Sequence, residues 1–326
     1  MPSGEDDLIA RYFRPVATAP GALGLIDDAA VLQAEGDDIV VTTDAIVEGV
    51  HFLKNDPPDT VARKALRVNL SDLAAKGATP AGFVLTLALR EVSEVWLAPF
   101  AQALGADAMQ FGCPLLGGDT VSTPGPLMIS ITAFGRVPPQ RMVLRSGAKP
   151  GDHVVVTGSI GDAALGLDVL KGGAATTALA ADADARDALI QRYRMPQPRV
   201  ALAQAVRDHA SAAMDVSDGL MGDLAKLCAA SAVSASIDAA AIPLSAPVRT
   251  LLKQGQVAIE TIVSGGDDYE ILCTIPENRL DSFESAAARA GVPVAVIGAV
   301  VAGSARARLF EGTREIALSR LSYSHF

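Results

Sequence analysis

Ile39-Val40-Val41-Thr42-Thr43-Asp44 is the stretch on which the fold turns. A β-branched run of this kind predicts a strand, and its closing polar residues mark the strand's end. Alternate side chains of a strand share a face, so Thr42 and Asp44 project together while Thr43 projects away. A hydroxyl beside a carboxylate at a strand end can bind one Mg²⁺, although the same Asp can simply cap the next turn. Helical periodicity follows over 60–76, and the alternation continues along the chain. Strands are predicted at 39–43, 83–89, 127–134, 154–157, 271–275 and 292–297, and helices at 60–76, 92–111, 162–171, 199–209, 218–230 and 281–290. Strand and helix interleave in both halves, which predicts mixed α/β domains rather than a bundle or a sandwich.

Acids beside small residues recur outward from that strand: Leu25-Ile26-Asp27-Asp28, Asn69-Leu70-Ser71-Asp72, Gly117-Gly118-Asp119-Thr120, Asp215-Val216-Ser217-Asp218-Gly219 and Gly265-Gly266-Asp267-Asp268-Tyr269-Glu270. Carboxylates on short turns after apolar runs suit several hard cations held against phosphates, so the pattern points to metal-dependent phosphate chemistry. Asn69 and Asp72, three apart, share one helix face. Gly117 and Gly118 let a backbone approach a phosphate closely, though ordinary turns use the same residues. Ser217 is expected to cap the helix at 218–230, whose first amides would favour an anion, with Asp215 two residues back on the same side. The Gly265-Gly266 turn is expected to present Asp267 and Asp268, with Glu270 on the side of Asp268. Arg145 can reach a nucleotide phosphate or be a plain surface residue. His51, in Glu48-Gly49-Val50-His51-Phe52, reads as structural or as substrate-facing. Neither a Walker A motif nor GxGxxG is present, so a bound nucleotide needs another architecture.

With 326 residues the chain is long enough for two domains, and half of them are hydrophobic, enough for a substantial core. The balance of 27 basic against 37 acidic residues gives a net charge of −10, which argues against nucleic acid as a partner. Phosphorylated ligands would then have to arrive with cations. The three scattered cysteines fit buried, reduced thiols. No stretch is long and apolar enough to predict a membrane span, and the acidic start lacks the features of a signal peptide, so a cytoplasmic setting is expected. The Pro-, Gly- and Arg-containing stretch 136–152 predicts a junction between domains 1–138 and 139–326. The Ala/Thr/Asp-rich stretch 172–185 predicts a mobile or weakly packed connection.

Taken in order, Asp28, Thr42-Thr43-Asp44, Gly49-Val50-His51-Phe52, Asn69-Leu70-Ser71-Asp72, Gly117-Gly118-Asp119-Thr120, Arg145 to Asp152, Asp215 to Leu220 and Ser264 to Glu270 resemble the thiamine-monophosphate kinase family along essentially the whole chain. That family falls in the superfamily of aminoimidazole ribonucleotide synthetase and selenophosphate synthetase. The resemblance implies a two-domain PurM-like fold, a homodimer whose N-terminal domains pair their sheets, and an active-site cleft completed by the C-terminal domain. It implies ATP and thiamine monophosphate as substrates and several Mg²⁺ ions as cofactors. Carried over by position, the metal ligands would be Asp28, Thr42, Thr43, Asp44, Asp72, Asp119, Asp215 and Asp218. The nucleotide contacts would be Gly118, Asp119, Arg145 and Ser217, and the thiamine phosphate contacts His51, Asp267 and Tyr323. Two departures stand out: Asp267 where the family usually has Glu, and Ile26 where it usually has Gly.

Overall fold

The β-branched run at Ile39 lies within β1 (Asp38–Val47), the first strand of a four-stranded sheet. The computed structural model describes residues 8–20, 22, 34, 36–303 and 306–323. It divides the chain into two units, one of Met1–Leu73 with Ala78–Gln140 and one of Ala74–Gly77 with Arg141–Phe326.

In the first unit β1 is followed by α1 (Pro58–Ala75), β2 (Thr79–Leu89), α2 (Glu94–Gln110), β3 (Leu115–Ser122) and β4 (Met128–Val137). The sheet order is β1-β4-β2-β3, with β2 and β3 parallel and the other pairs antiparallel. β4 alternates strictly between buried and half-buried residues, the signature of a sheet covered on one face. Its buried set, with Phe83, Leu85 and Leu87 of β2, faces an interior to which α1 adds Leu66, Leu70 and Leu73 and α2 adds Leu97, Phe100 and Leu104. The other face carries Val41, Thr43, Thr132 and Phe134, all at least partly exposed.

The second unit is built on a seven-stranded sheet in the order β11-β10-β7-β9-β5-β8-β6. Its strands are β5 (His153–Thr157), β6 (Ala212–Asp215), β7 (Ser234–Asp238), β8 (Ile271–Ile275), β9 (Val294–Val301), β10 (Ala307–Glu311) and β11 (Arg314–Ile316). Helices α3 (Asp162–Leu170), α4 (Ala174–Ala178), α5 (Ala183–Arg194), α6 (Ala203–His209), α7 (Leu220–Ser231), α8 (Ala246–Lys253), α9 (Ile259–Val263) and α10 (Leu280–Arg289) complete it. Along β5, Val154 and Val156 enter one apolar cluster and Val155 the other. The sheet is thus buried on both faces, which explains continuous apolar runs such as Ile271–Ile275. Cys113, Cys228 and Cys273 are buried free thiols; burial pushes their pKa values up to about 12, 11 and 12.

Two expectations need correction. The stretch 172–185 is not a weakly packed connection: α4 occupies part of it, Ala175 and Leu179 are buried, and Asp182 caps α5 by accepting from the Ala185 N–H. Gly117-Gly118-Asp119-Thr120 is not a turn but the middle of β3. A Cβ on Gly118 would come within 2.0 Å of the Leu85 carbonyl oxygen, so that glycine is required by the close approach of β2 and β3.

Candidate active site

In the first unit, α1 lies over the face of the sheet that carries Thr42 and Asp44. The Thr42 Oγ1 donates to Asp72 Oδ2, joining the strand to the helix. This commits the hydroxyl proton to Asp72 and leaves the Thr42 oxygen with lone pairs for accepting or ligating. Asp44 is two residues along the same face of β1, and partly buried. Thr43 is on the opposite face: its hydroxyl donates to the Ile131 carbonyl at 3.2 Å and accepts from Thr132 at 3.0 Å. Its side chain therefore does not join Thr42 and Asp44. Asn69, predicted beside Asp72, is fully buried and donates to the Ala65 carbonyl within its own helix, so it is an internal group.

Asp119 lies on the far edge strand. The register places Asp44 opposite Ile131, Ile131 opposite Leu85, and Leu85 opposite Gly118, one residue before Asp119. Three strand spacings of about 4.8 Å set β1 and β3 some 14 Å apart. Two carboxylates that far apart do not share one ion with oxygen contacts of about 2.1 Å. Asp28 falls outside the described residues, as do Ile26 and the Ser-His-Phe terminus.

His51 follows β1 in a turn. Its Nδ1 accepts from the Val47 N–H at 3.1 Å, so the neutral ring carries its proton on Nε2. Its carbonyl accepts from the ammonium of Lys64 at 2.8 Å, a lysine that is 1% exposed. A buried cation thus fixes the backbone of this turn.

The second unit gathers its predicted residues more tightly. Asp215 ends β6, an edge strand, and is buried. The Asp267 N–H donates to the Ser217 carbonyl at 2.8 Å, and the Tyr323 N–H donates to the Asp218 carbonyl at 2.9 Å. Two main-chain bonds therefore hold Asp267 and Tyr323 against the loop that carries Asp215, Ser217 and Asp218. Gly266 allows it: a Cβ there would lie 2.6 Å from the Ser217 oxygen.

The cap at α7 differs from expectation. Its N-cap is Gly219, with no side-chain cap bond, so Ser217 does not cap it. The amides of Ser217, Asp218 and Gly219 all donate to Asp223 Oδ2, at 3.1, 3.0 and 3.2 Å. They are satisfied by the protein's own carboxylate and do not form an anion site. Lys226 closes the group, reaching Asp218 at 2.7 Å and Asp223 at 2.9 Å. Burial lifts the Asp223 pKa above the ordinary carboxylate value against the opposing pull of Lys226. Burial also works against the Lys226 charge, but its bonds to Asp218 and Asp223 outweigh that and raise its pKa.

The acids after Gly266 also divide. Asp268, expected to be presented, is buried; both its oxygens lie 3.0 Å from the Gly161 N–H. Burial holds its pKa well above the usual carboxylate value. Glu270 is on the same inward side, bound by Thr157, Arg192 and Arg199. Arg145 is placed elsewhere. Its carbonyl accepts from Ser231 at the C-terminal end of α7, whereas Ser217 precedes the N-terminal end.

Asp223, Lys226, Arg192 and Arg199 were not singled out by sequence. Asp223 had a signal: with Leu220, Leu224 and Leu227 it occupies one helical stripe, and an acid on an apolar stripe must be paired.

Among the described residues no three His, Cys, Asp or Glu side chains converge on one point. The donor sets present are nonetheless all oxygen: Thr42, Asp44 and Asp72 in one unit, Asp215 and Asp218 in the other. They fit Mg²⁺ and not a thiophilic ion.

A family model described as AIR synthase related protein, N-terminal domain, matches residues 26–137, and its C-terminal counterpart matches 149–309. The thiamine-monophosphate kinase of Caulobacter vibrioides is 46% identical over 330 residues, 99% of this chain and 91% of that protein. That of Escherichia coli K12 is 40% identical over 329 residues, 100% of this chain and 99% of that protein. The crystal structure of the Stenotrophomonas maltophilia K279a thiamine-monophosphate kinase matches with a TM-score of 0.81 and 38% identity, over 93% of this chain and 94% of that one. AaThiL complexed with AMPPCP and TMP matches at 0.76 and 30%, over 94% and 97%. The hydrogenase maturation protein HypE of E. coli matches at 0.79 but only 21% identity, over 98% of both chains, and shares the fold alone. With two AIR-synthase-related domains and full-length relatives of this similarity, the chain belongs to the thiamine-monophosphate kinase family.

Proposed function

We propose that this protein transfers the γ-phosphoryl group of ATP directly to the phosphate of thiamine monophosphate, giving thiamine diphosphate and ADP. The observation that carries this reading is the pair of main-chain bonds that sets Asp267 and Tyr323 against Ser217 and Asp218. Residues matching the family's substrate contacts and residues matching its metal and nucleotide contacts thereby share one loop assembly.

The acceptor is a phosphate monoester whose second pKa lies near ~6, so it is a dianion at neutral pH and needs no general base. The obstacle is charge: two unit charges at about 4 Å repel by roughly 1 kcal/mol in water and about fourfold more at an effective dielectric near 20. When bound, Mg²⁺ offsets that repulsion and stabilises charge as it spreads in the transition state. In the first unit Asp44 and Asp72 would hold such ions with Thr42, with Asp28 and Asp119 as further carboxylates, and Thr43 can join only through its main chain; in the second unit Asp215 and Asp218 would do the same. Nε2–H of His51 is a neutral donor suited to the substrate phosphate, while the Asp267 carboxylate suits the cationic thiazolium and the Tyr323 ring the stacked heterocycle. Gly118, Arg145 and Ser217 match the family's nucleotide contacts, and Arg145 and Ser217 lie by opposite ends of α7. The half-exposed face of the first sheet, with Val41, Val84, Thr132 and Phe134, suits pairing with a second copy. No helix among the described residues is long and apolar enough to cross a membrane, which agrees with a cytoplasmic enzyme.

A coupled assay for ADP tests the proposal. ADP release that depends on both thiamine monophosphate and Mg²⁺, with thiamine diphosphate as product and no labelled protein intermediate, is the expected result. ATP binding without turnover would indicate a nucleotide sensor and defeat the proposal. Light scattering at a monomer's mass would defeat the pairing.

A further inference from the structure

The segment Asp267-Asp268-Tyr269-Glu270 alternates in backbone and burial. Asp267 (φ 71°) and Tyr269 (φ 49°) are in the left-handed region and partly exposed, whereas Asp268 and Glu270 are buried. A non-glycine residue in this region is strained and persists only where its surroundings hold it. The inward residues supply that hold. Arg192 Nη2 donates to Glu270 Oε1 at 2.7 Å and to the Asp268 main-chain carbonyl at 3.3 Å. It is the one residue among these contacts that grips both a side chain and the main chain of the segment. Arg199 Nε reaches the other Glu270 oxygen at 2.6 Å, and Thr157 shares it at 2.6 Å while accepting from the Ile271 N–H. A Cβ on Gly158 would fall 2.0 Å from Glu270 Oε1, so glycine at that position is what makes room for this carboxylate.

We infer that Arg192 is a positioning residue for the Asp267 carboxylate, locking the inward residues of the segment so that Asp267 is presented to thiamine monophosphate. The inference rests on the proposed contact between Asp267 and substrate. The link from Arg192 to Asp267 runs through Asp268, the residue next to it, whose carbonyl Arg192 holds. A lysine in place of Arg192 keeps the charge, but its ammonium sits on a flexible stem and lacks the rigid planar guanidinium that fixes where the bonds to Glu270 and the Asp268 carbonyl are made.

Steady-state kinetics on the full chain test it with Arg192→Lys, Asp267→Asn and the double variant. Arg192→Lys is expected to raise KM for thiamine monophosphate about tenfold while KM for ATP moves less than about twofold. The double variant is expected to add nothing beyond Asp267→Asn, because Arg192 acts through that side chain. If Asp267→Asn leaves KM for thiamine monophosphate unchanged, the contact itself is wrong. If Asp267→Asn raises it and Arg192→Lys does not, the contact stands and the positioning role falls. Additive effects, or both KM values rising together, would mark Arg192 as merely structural and overturn the inference. Should Arg192→Lys fail to fold, Glu270→Gln, which keeps the side-chain shape, is expected to give the same split, and a shared rise in both KM values there would overturn the role equally.

Discussion

Asp223→Ala tests whether the loop bearing Ser217 and Asp218 is built by one carboxylate. Asp223 is fully buried, and its Oδ2 is the acceptor for three consecutive amides while Oδ1 takes Lys226. Of those amides, Gly219 belongs to a buried residue and Ser217 and Asp218 to partly exposed ones. Losing the acceptor leaves one donor with its whole desolvation cost of about 1–3 kcal/mol and two that water can partly serve, at roughly 0.5–1 kcal/mol each. The total is about 3 kcal/mol. At about 2–4 °C per kcal/mol for a unit of this size, the melting temperature should fall by roughly 6–12 °C. The fall should appear without Mg²⁺ and persist with it, because the amides are lost in both states. Asp223→Asn keeps an acceptor oxygen for the amides but not the charge that binds Lys226, and should lose about half as much. Calorimetry of both variants with and without excess Mg²⁺, alongside turnover, is the measurement. A fall below about 2 °C with turnover retained would refute the reasoning, since the loop would then hold its shape without the carboxylate.

Other predictions follow the same contacts. Asp44→Asn should leave the metal-free melting temperature within about 2 °C, since the side chain keeps its size, but abolish Mg²⁺-dependent turnover; marked destabilisation of the metal-free protein would instead assign Asp44 a folding role. Gly118→Ala should destabilise the first unit by several kcal/mol, about 3 or more, because its Cβ would strike the Leu85 carbonyl, whereas Gly117→Ala meets nothing within 4 Å and should cost little. Equal melting temperatures for these two variants would contradict the register of β2 and β3. Asp268 has a folded pKa raised above its unfolded value, so the stability its neutral form contributes is present below the unfolded pKa near ~3.9 and lost as pH rises toward the folded one. Asp268→Asn mimics the neutral acid, and its melting temperature relative to the parent should climb with pH across that window. A relative melting temperature that falls with pH would reverse the sign.

The fold was legible where side chains were large and periodic. Ile39 to Thr43, Phe83 to Leu89 and Ile271 to Ile275 all lie inside observed strands, and 60–76 overlaps α1 within two residues at each end. It was illegible where small residues carry the strand. β6 is Ala-Ala-Met-Asp and β7 Ser-Ala-Ser-Ile-Asp; neither has a hydrophobic period, and both are strands because β8, β9 and β10 supply partners. β3 failed for a related reason, since its central glycines look like a turn until the strand that excludes a side chain at Gly118 is known.

The site was half legible, and the division has a physical cause. An acid next to glycine can be an external ligand or an internal strut, and composition is the same for both. Asp268 and Glu270 are struts, spent on a backbone amide and on two arginines distant in sequence. Asp267 and Tyr269, which alternate with them, are turned the other way by a left-handed backbone that the inward bonds sustain. Asp223 is a strut of the same kind, spent on the amides that sequence alone assigned to an anion. Strand alternation did separate Thr42 and Asp44 from Thr43, because a strand's geometry fixes side-chain direction locally. In an irregular loop no such local rule exists. The direction of an acid is set there by what holds its neighbour, and the neighbour of Asp267, Asp268, has its carbonyl held by Arg192, which stands 75 positions before Asp267 in the chain.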